Sequence, residues 1–217
     1  MVFPKIIILA QGGTHGDFLY QACNIITSDT TSKKVDARGR VSESSIFKKQ
    51  NSDVYEKGQI KSLMATYLDN AQPIEVCHIW FEEFIDWPSK FYYIDFDYSL
   101  IEIIRKMYIE KVFGNNIDMA IEDYKRTLPD SVSRKINQSN FNEAIDTSYK
   151  TLLSKYKKQP NAKAINMVDL YSFEKVVAIL KDMDIYNETN LSSLKLFHSL
   201  WIEKNEKWIK QIHKISE

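Results

Sequence analysis

The chain opens on a short, unbroken apolar run, Ile6-Ile7-Ile8-Leu9-Ala10, rich in β-branched residues and ended by glycines. That pattern predicts a strand over residues 5–10, buried on both faces as in a parallel sheet. Gln11-Gly12-Gly13-Thr14-His15-Gly16-Asp17 reads as a tight turn. Residues 18–26 then predict a helix, because Phe18, Leu19, Ala22, Cys23 and Ile26 can share one face. A β-loop-α unit therefore starts the chain. Residues 27–58 are polar and predict a long loop or lid with short helical pieces, and residues 60–67 a short helix.

Two further strands are predicted over 74–80 and 91–96, the second aromatic and β-favouring. Ser99 with Glu102 three residues on has the form of a capping box for a helix that stops near Gly114. More helices are predicted over 117–128, 141–156 and 170–183, and a fourth strand over 164–168. Residues 191–215 predict a long amphipathic terminal helix, in which Leu194, Phe197, Trp201, Trp208 and Ile212 form a core-facing stripe with His198 beside it. Strands alternating with helices predict a single α/β domain: a three-layer, P-loop-like unit with a mostly parallel sheet and a helical C-terminal part.

Composition narrows the function. A chain of 217 residues can bury roughly 70% of its unfolded surface, so it needs no disulfide or metal staple. Cys23 and Cys77 form no CxxC pair and are expected to be reduced and buried. Lys plus Arg and Asp plus Glu both number 29, so a general electrostatic grip on nucleic acid is unsupported. The first apolar run is too short for a signal segment, and no stretch approaches the length of a membrane span. A cytoplasmic protein is the expectation, with a homo-oligomer left open. Lysine outnumbers arginine by 24 to 5, so bidentate arginine clamps for phosphate are scarce.

The turn after the first strand carries the first candidate chemistry. Gly12, Gly13 and Gly16 allow a positive-φ bend in which several amides point into one space, and a helix N-terminus follows. Such a turn at the carboxyl end of a strand is a seat for phosphate or sulfate. It is no Walker loop, because Gly-Lys-Ser/Thr is missing, and Gly12 to Gly16 lacks the dinucleotide spacing. The alternative is a purely conformational turn with Asp17 capping the helix.

Four segments in this order resemble the sulfotransferase family. Ile8-Leu9-Ala10-Gln11-Gly12-Gly13-Thr14 looks like its first strand and phosphosulfate loop, and Val76-Cys77-His78 like its strand ending in a Thr-His pair. Lys90-Phe91-Tyr92-Tyr93-Ile94 and the next helix look like the element that holds the donor's 3′-phosphate. Ile165-Asn166-Met167-Val168-Asp169-Leu170 and the helix after it look like a late strand-turn-helix unit. The resemblance implies sulfuryl transfer from adenosine 3′-phosphate 5′-phosphosulfate to a hydroxyl of a small molecule or glycan, without a metal. It places the donor at Gln11, Gly12, Gly13, Thr14, Gly16 and Arg105, and the general base at His78 or His15. Gln11 stands where the family's loop has a lysine, Phe96 near its strand-three arginine, and Ile104 near its serine, with Arg105 adjacent.

Gly13-Thr14-His15-Gly16-Asp17 is also similar to the Gly-Thr-x-Gly-Asp signature of some nucleotide-sugar glycosyltransferases, which implies a subunit of a split enzyme. A third reading is a non-catalytic scaffold that binds a nucleotide or a protein. Elsewhere, Glu82, Glu83 and Asp86 read as a solvated acidic loop, since no histidine pair stands at ligand spacing beside them. Asp95 and Asp97 read equally as strand-end carboxylates with a chemical role or as turn and cap residues. Lys33, Lys34, Arg38 and Arg40 form the densest basic stretch, which reads first as a solvated polar loop and alternatively as a lid over an anion.

Overall fold

The computed structural model describes residues 4–28, 35–40, 73–77, 87–126 and 130–216. Four strands, β1 (Ile6–Leu9), β2 (Ile74–Cys77), β3 (Lys90–Asp95) and β4 (Ala162–Asn166), form one sheet. Its order is β2-β1-β3-β4, and every pairing is parallel. Leu9 at the end of β1 is level with Cys77 of β2 and Tyr93 of β3. All four residues of β1 are buried, as a continuous apolar run in a central strand requires. Edge strand β4 buries only Ile165 fully.

The helices are α1 (Gly16–Ser28), α2 (Ile101–Phe113), α3 (Ile117–Arg126), the single turn α4 (Asp130–Ser133), α5 (Phe141–Lys157), α6 (Phe173–Asp182) and α7 (Leu191–Ser216). Helix α1 packs on β2 and α7, whereas α2 packs on α3, α5 and α7. This is the α/β architecture with a parallel sheet and a helical C-terminal part that the alternation of elements predicts. The chain runs from β1 to β2 on one side and then to β3 on the other. The carboxyl ends of β1 and β3 therefore flank a switch in direction, where open parallel sheets bind ligands.

Local signals set the helix ends. Helix α2 stops at Gly114, which takes a left-handed φ of 62° and donates its amide to Glu110 O at 3.0 Å. Its start differs from the capping-box expectation. Asp97, not Ser99, caps a 3₁₀ turn over Tyr98–Leu100 by accepting from the Ser99 amide at 2.7 Å. The helix expected over 170–183 is two pieces, a 3₁₀ turn over Met167–Tyr171 and then α6, whose N-cap Ser172 accepts from the Lys175 amide. In α7, Leu194, Phe197, Trp201, Trp208 and Ile212 all face the core as expected, and His198 is buried with Nε2 at 3.0 Å from Leu170 O. Cys23 and Cys77 are both buried, and no disulfide joins them. Most of the polar stretch 27–58 and the short helix expected over 60–67 lie outside the described residues.

Candidate functional site

The turn after β1 is built by its own hydrogen bonds. Thr14 Oγ1 donates to Gln11 O at 2.7 Å and accepts from the Gln11 amide at 3.1 Å, and the Thr14 amide also donates to Gln11 O. Thr14 is fully buried and spends its hydroxyl inside the turn. Gly13 takes φ 84° and His15, a non-glycine, takes φ 65°, so two left-handed residues make the bend.

Close packing accounts for the glycines. A Cβ on Gly12 would meet the Tyr108 ring at 2.6 Å, one on Gly13 would meet Ile104 O at 2.6 Å, and one on Gly16 would meet the Ala10 Cβ at 2.1 Å. Helix α2 thus lies directly on the turn. Helix α5 holds it from another side: the Tyr149 hydroxyl donates to Gly12 O at 2.8 Å, and Gln11 Nε2 donates to Tyr149 O at 2.7 Å.

Beside this turn lies a cavity of about 1130 Å³. Gln11, Gly12, Gly13 and His15 line it from the turn, and Asp17 and Phe18 from α1. Tyr108 and Lys111 line it from α2, Tyr149 and Leu152 from α5, Trp201 from α7, and Arg40 from the 35–40 segment. Aromatic faces and a few charged heads converge on one concave space, the composition expected of a small-molecule site.

Burial perturbs His15, Lys111 and Tyr108. His15 is buried, places Nε2 at 3.1 Å from the Tyr171 hydroxyl and stands edge-on to Trp201 with ring centroids 4.8 Å apart. Desolvation, with the Lys111 charge second, holds its pKa well below the usual histidine value, and Asp17 opposes the shift. The ring is therefore neutral at pH 7. Lys111 is buried too, and Nζ donates to Asn205 Oδ1. Desolvation pushes its pKa down to about 7 against the opposing charges of Asp17, Asp36 and Glu110. The Tyr108 hydroxyl is pushed up, first by burial and then by Asp123.

Of the residues expected from the sequence to form the site, Gln11, Gly12, Gly13 and His15 share the cavity wall. Thr14 and Gly16 sit behind the wall, packed and internally bonded. Arg105 is turned elsewhere: Nη1 lies 3.2 Å from both carboxylate oxygens of Asp146. His78, Glu82, Glu83 and Asp86 lie outside the described residues, as do Lys33 and Lys34. Arg40 reaches the cavity, whereas the Arg38 guanidinium packs over Gly114. Asp95 pairs with Lys157 at 2.8 Å and Asp97 is a cap.

Tyr108, Lys111, Tyr149 and Asn205 belong to the site or its support and carry no motif in the sequence. One signal was available for Lys111, which stands seven residues after Ile104 and three after Tyr108, in phase with the buried face of α2. Among the described residues, no group of three or more His, Cys, Asp or Glu side chains is placed to hold a metal, and no helix is long and apolar enough to cross a membrane. No family model, no curated protein and no solved structure matches the chain.

Proposed function

We propose that this chain is a transferase of the sulfotransferase type, which binds a sulfonated nucleotide in the cavity at the carboxyl end of β1. The observation that carries this reading is that Arg40 lines the same cavity as Gly12 and Gly13, at a sheet switch point. Tyr108, Tyr124 and Trp201 supply aromatic faces for a nucleobase in the same space. Arg40 takes the place in charge that Gln11 leaves vacant, since the Gln11 amide is engaged with Tyr149. In the reaction, the acceptor's hydroxyl oxygen attacks sulfur, the bond from sulfur to the donor phosphate oxygen breaks, and adenosine 3′,5′-bisphosphate leaves. The hydroxyl proton goes to a neutral base, for which His15 has the required protonation state. His78 is the other base that the resemblance supplies, and a small molecule or glycan is the acceptor.

The test is a thermal-shift and calorimetric screen with adenosine 3′-phosphate 5′-phosphosulfate, adenosine 3′,5′-bisphosphate, ATP and UDP-sugars. A ligand at one hundred times its Kd stabilises by about 2.7 kcal/mol. We expect the two 3′-phosphorylated nucleotides to bind and Arg40→Met to abolish the shift. Absence of any shift would sink the reading, and a response to UDP-sugars alone would favour a glycosyltransferase-like subunit. One observation favours a non-catalytic nucleotide-binding scaffold as the second reading: Tyr108 and Thr14 occupy space and hydrogen bonds that a donor would use at the turn. Binding without sulfuryl transfer to any hydroxyl acceptor separates the two.

A further inference from the structure

We propose that Lys111 is a reactive amine that forms an imine with an aldehyde or ketone bearing an anionic group, held in the cavity that the β1–α1 turn and α2 both line. The inference goes beyond the transferase reading and does not rest on it.

Asn205 donates both Nδ2 hydrogens to backbone carbonyls, Trp201 O at 2.8 Å and Gly39 O at 3.3 Å. Its orientation is thereby fixed, and Oδ1 is the atom left to face Nζ of Lys111. A neutral amide oxygen can accept one hydrogen from an uncharged amine, although it bonds an ammonium more strongly. The nitrogen lone pair then remains free for a bond. Asp17, Asp36 and Glu110 favour the ammonium by their charge, and burial opposes them.

The groups that face Lys111 electrostatically come from four elements. They are His15 on the turn, Asp17 on α1, Asp36 on the 35–40 segment and Glu110 on α2 itself, while α7 offers the neutral Asn205. Burial outweighs the three carboxylates and brings the ammonium down to about 7. About half of the amine is then neutral at pH 7, against a fraction on the order of 10⁻³ for an ordinary lysine. Desolvated lysines of this kind serve as imine-forming nucleophiles.

The chemistry is balanced without any further reactant. The amine nitrogen attacks the carbonyl carbon, a C–N bond forms, and the carbonyl oxygen takes a proton as the nitrogen loses one. The carbinolamine then loses its hydroxyl as water, with the second nitrogen proton, to give the imine. Arg40 on the same cavity wall is the cation for the ligand's phosphate or carboxylate, and Tyr108 and Trp201 flank its body.

Pyridoxal 5′-phosphate, an aldehyde with a phosphate, is the probe. The whole chain is incubated with it across pH 6 to 10, reduced with sodium borohydride, and mapped by peptide mass spectrometry. We expect Lys111 to be modified first among the 24 lysines, with a rate that rises through about pH 7. Lys111→Arg should remove that adduct and leave slow surface labelling unchanged. Arg40→Met should lower the labelling of Lys111 by pyridoxal 5′-phosphate roughly tenfold or more, and labelling by phosphate-free pyridoxal far less. Labelling spread over exposed lysines with Lys111 unmodified, or a Lys111 rate that rises only near pH 10, would overturn the proposal in the wild-type protein, whatever the variants' folding. Equal loss with both probes in Arg40→Met would remove the anionic group from it.

Discussion

Replacing Lys111 by Met should change how stability depends on pH more than it changes stability at any one pH. In the folded protein the ammonium ionises at about 7, and in the unfolded chain at about 10.4. A base whose folded pKa is depressed binds fewer protons folded than unfolded between those two values. Stability therefore rises with pH across that window, and the full penalty is present below it. Integrated with these values, Lys111 costs the fold roughly 4 kcal/mol at pH 7 and about 2 kcal/mol at pH 9. Wild type should gain about 2 kcal/mol between the two, a rise in Tm of roughly 4–8 °C for a chain of this size. Lys111→Met should lack that gain.

Other groups do not mimic the effect. His15 is depressed from a histidine's ordinary value, so its penalty develops only as pH falls through about 6.5. Tyr149 and Tyr156 are raised by burial, so they act as pH climbs past about 10. Cys23 is also raised and opposes the rise near the top of the window, but it is common to both proteins and cancels. The substitution orphans Asn205 Oδ1, which costs about 1–3 kcal/mol independently of pH. For that reason the slope, not the offset, is the measurement. Urea unfolding of both proteins at half-unit steps from pH 7 to 9 supplies it. Parallel curves would mean that Lys111 is charged in the fold, and the imine proposal would lose its chemical basis.

Three further outcomes follow from the packing. Gly16→Ala places a methyl 2.1 Å from the Ala10 Cβ, where both carbons belong to stiff backbone, and should cost about 3 kcal/mol by denaturant unfolding. Trp201→Ala removes a side chain 1% exposed and stacked 4.0 Å from Phe18, with an expected loss of about 3–5 kcal/mol in the same assay. Tyr149→Phe deletes the hydroxyl bond to Gly12 O but keeps the backbone carbonyl that Gln11 uses. It should cost only about 1 kcal/mol, and loss of nucleotide binding beyond that cost would show that the turn's position sets the site.

The sequence was most legible where one strong signal acted alone. The isoleucine run and its glycines mark β1 and the turn because no helix periodicity competes there, and the stripe through Trp201 marks α7 because 26 residues give the period room to repeat. It was least legible where side chains compete for the same backbone groups. Ser99 and Glu102 have the form of a capping box, yet Asp97, two residues earlier, takes the Ser99 amide first. Around residue 170 the apolar pattern continues, but Asn166 and Ser172 each accept a backbone amide and divide the segment into a turn and α6. Strand β4 starts two residues before the predicted 164–168, since only Ile165 within it is fully buried and an edge strand leaves little alternation in the sequence. Arg105 is adjacent in sequence to the expected donor element, but α5 brings Asp146 to it, a partner 41 residues away that no local spacing announces.

The glycine turn and the buried lysine differ in what explains them. Each glycine near the cavity has a packing reason: Tyr108 against Gly12, Ile104 O and a positive φ at Gly13, Ala10 against Gly16. Packing alone would select these glycines, so in the donor-site reading the weight rests on Arg40 lining the cavity beside them and not on the glycine signature by itself. Lys111 has no such reason. A methionine would fill the same volume without desolvating a charge, and the Asn205 amide could then have been any residue that packs there. A group that lowers stability over the pH range in which proteins work, beside a cavity and a neutral histidine, is a feature that stability does not account for. The Lys111 amine is therefore the feature of this cavity that packing leaves unexplained.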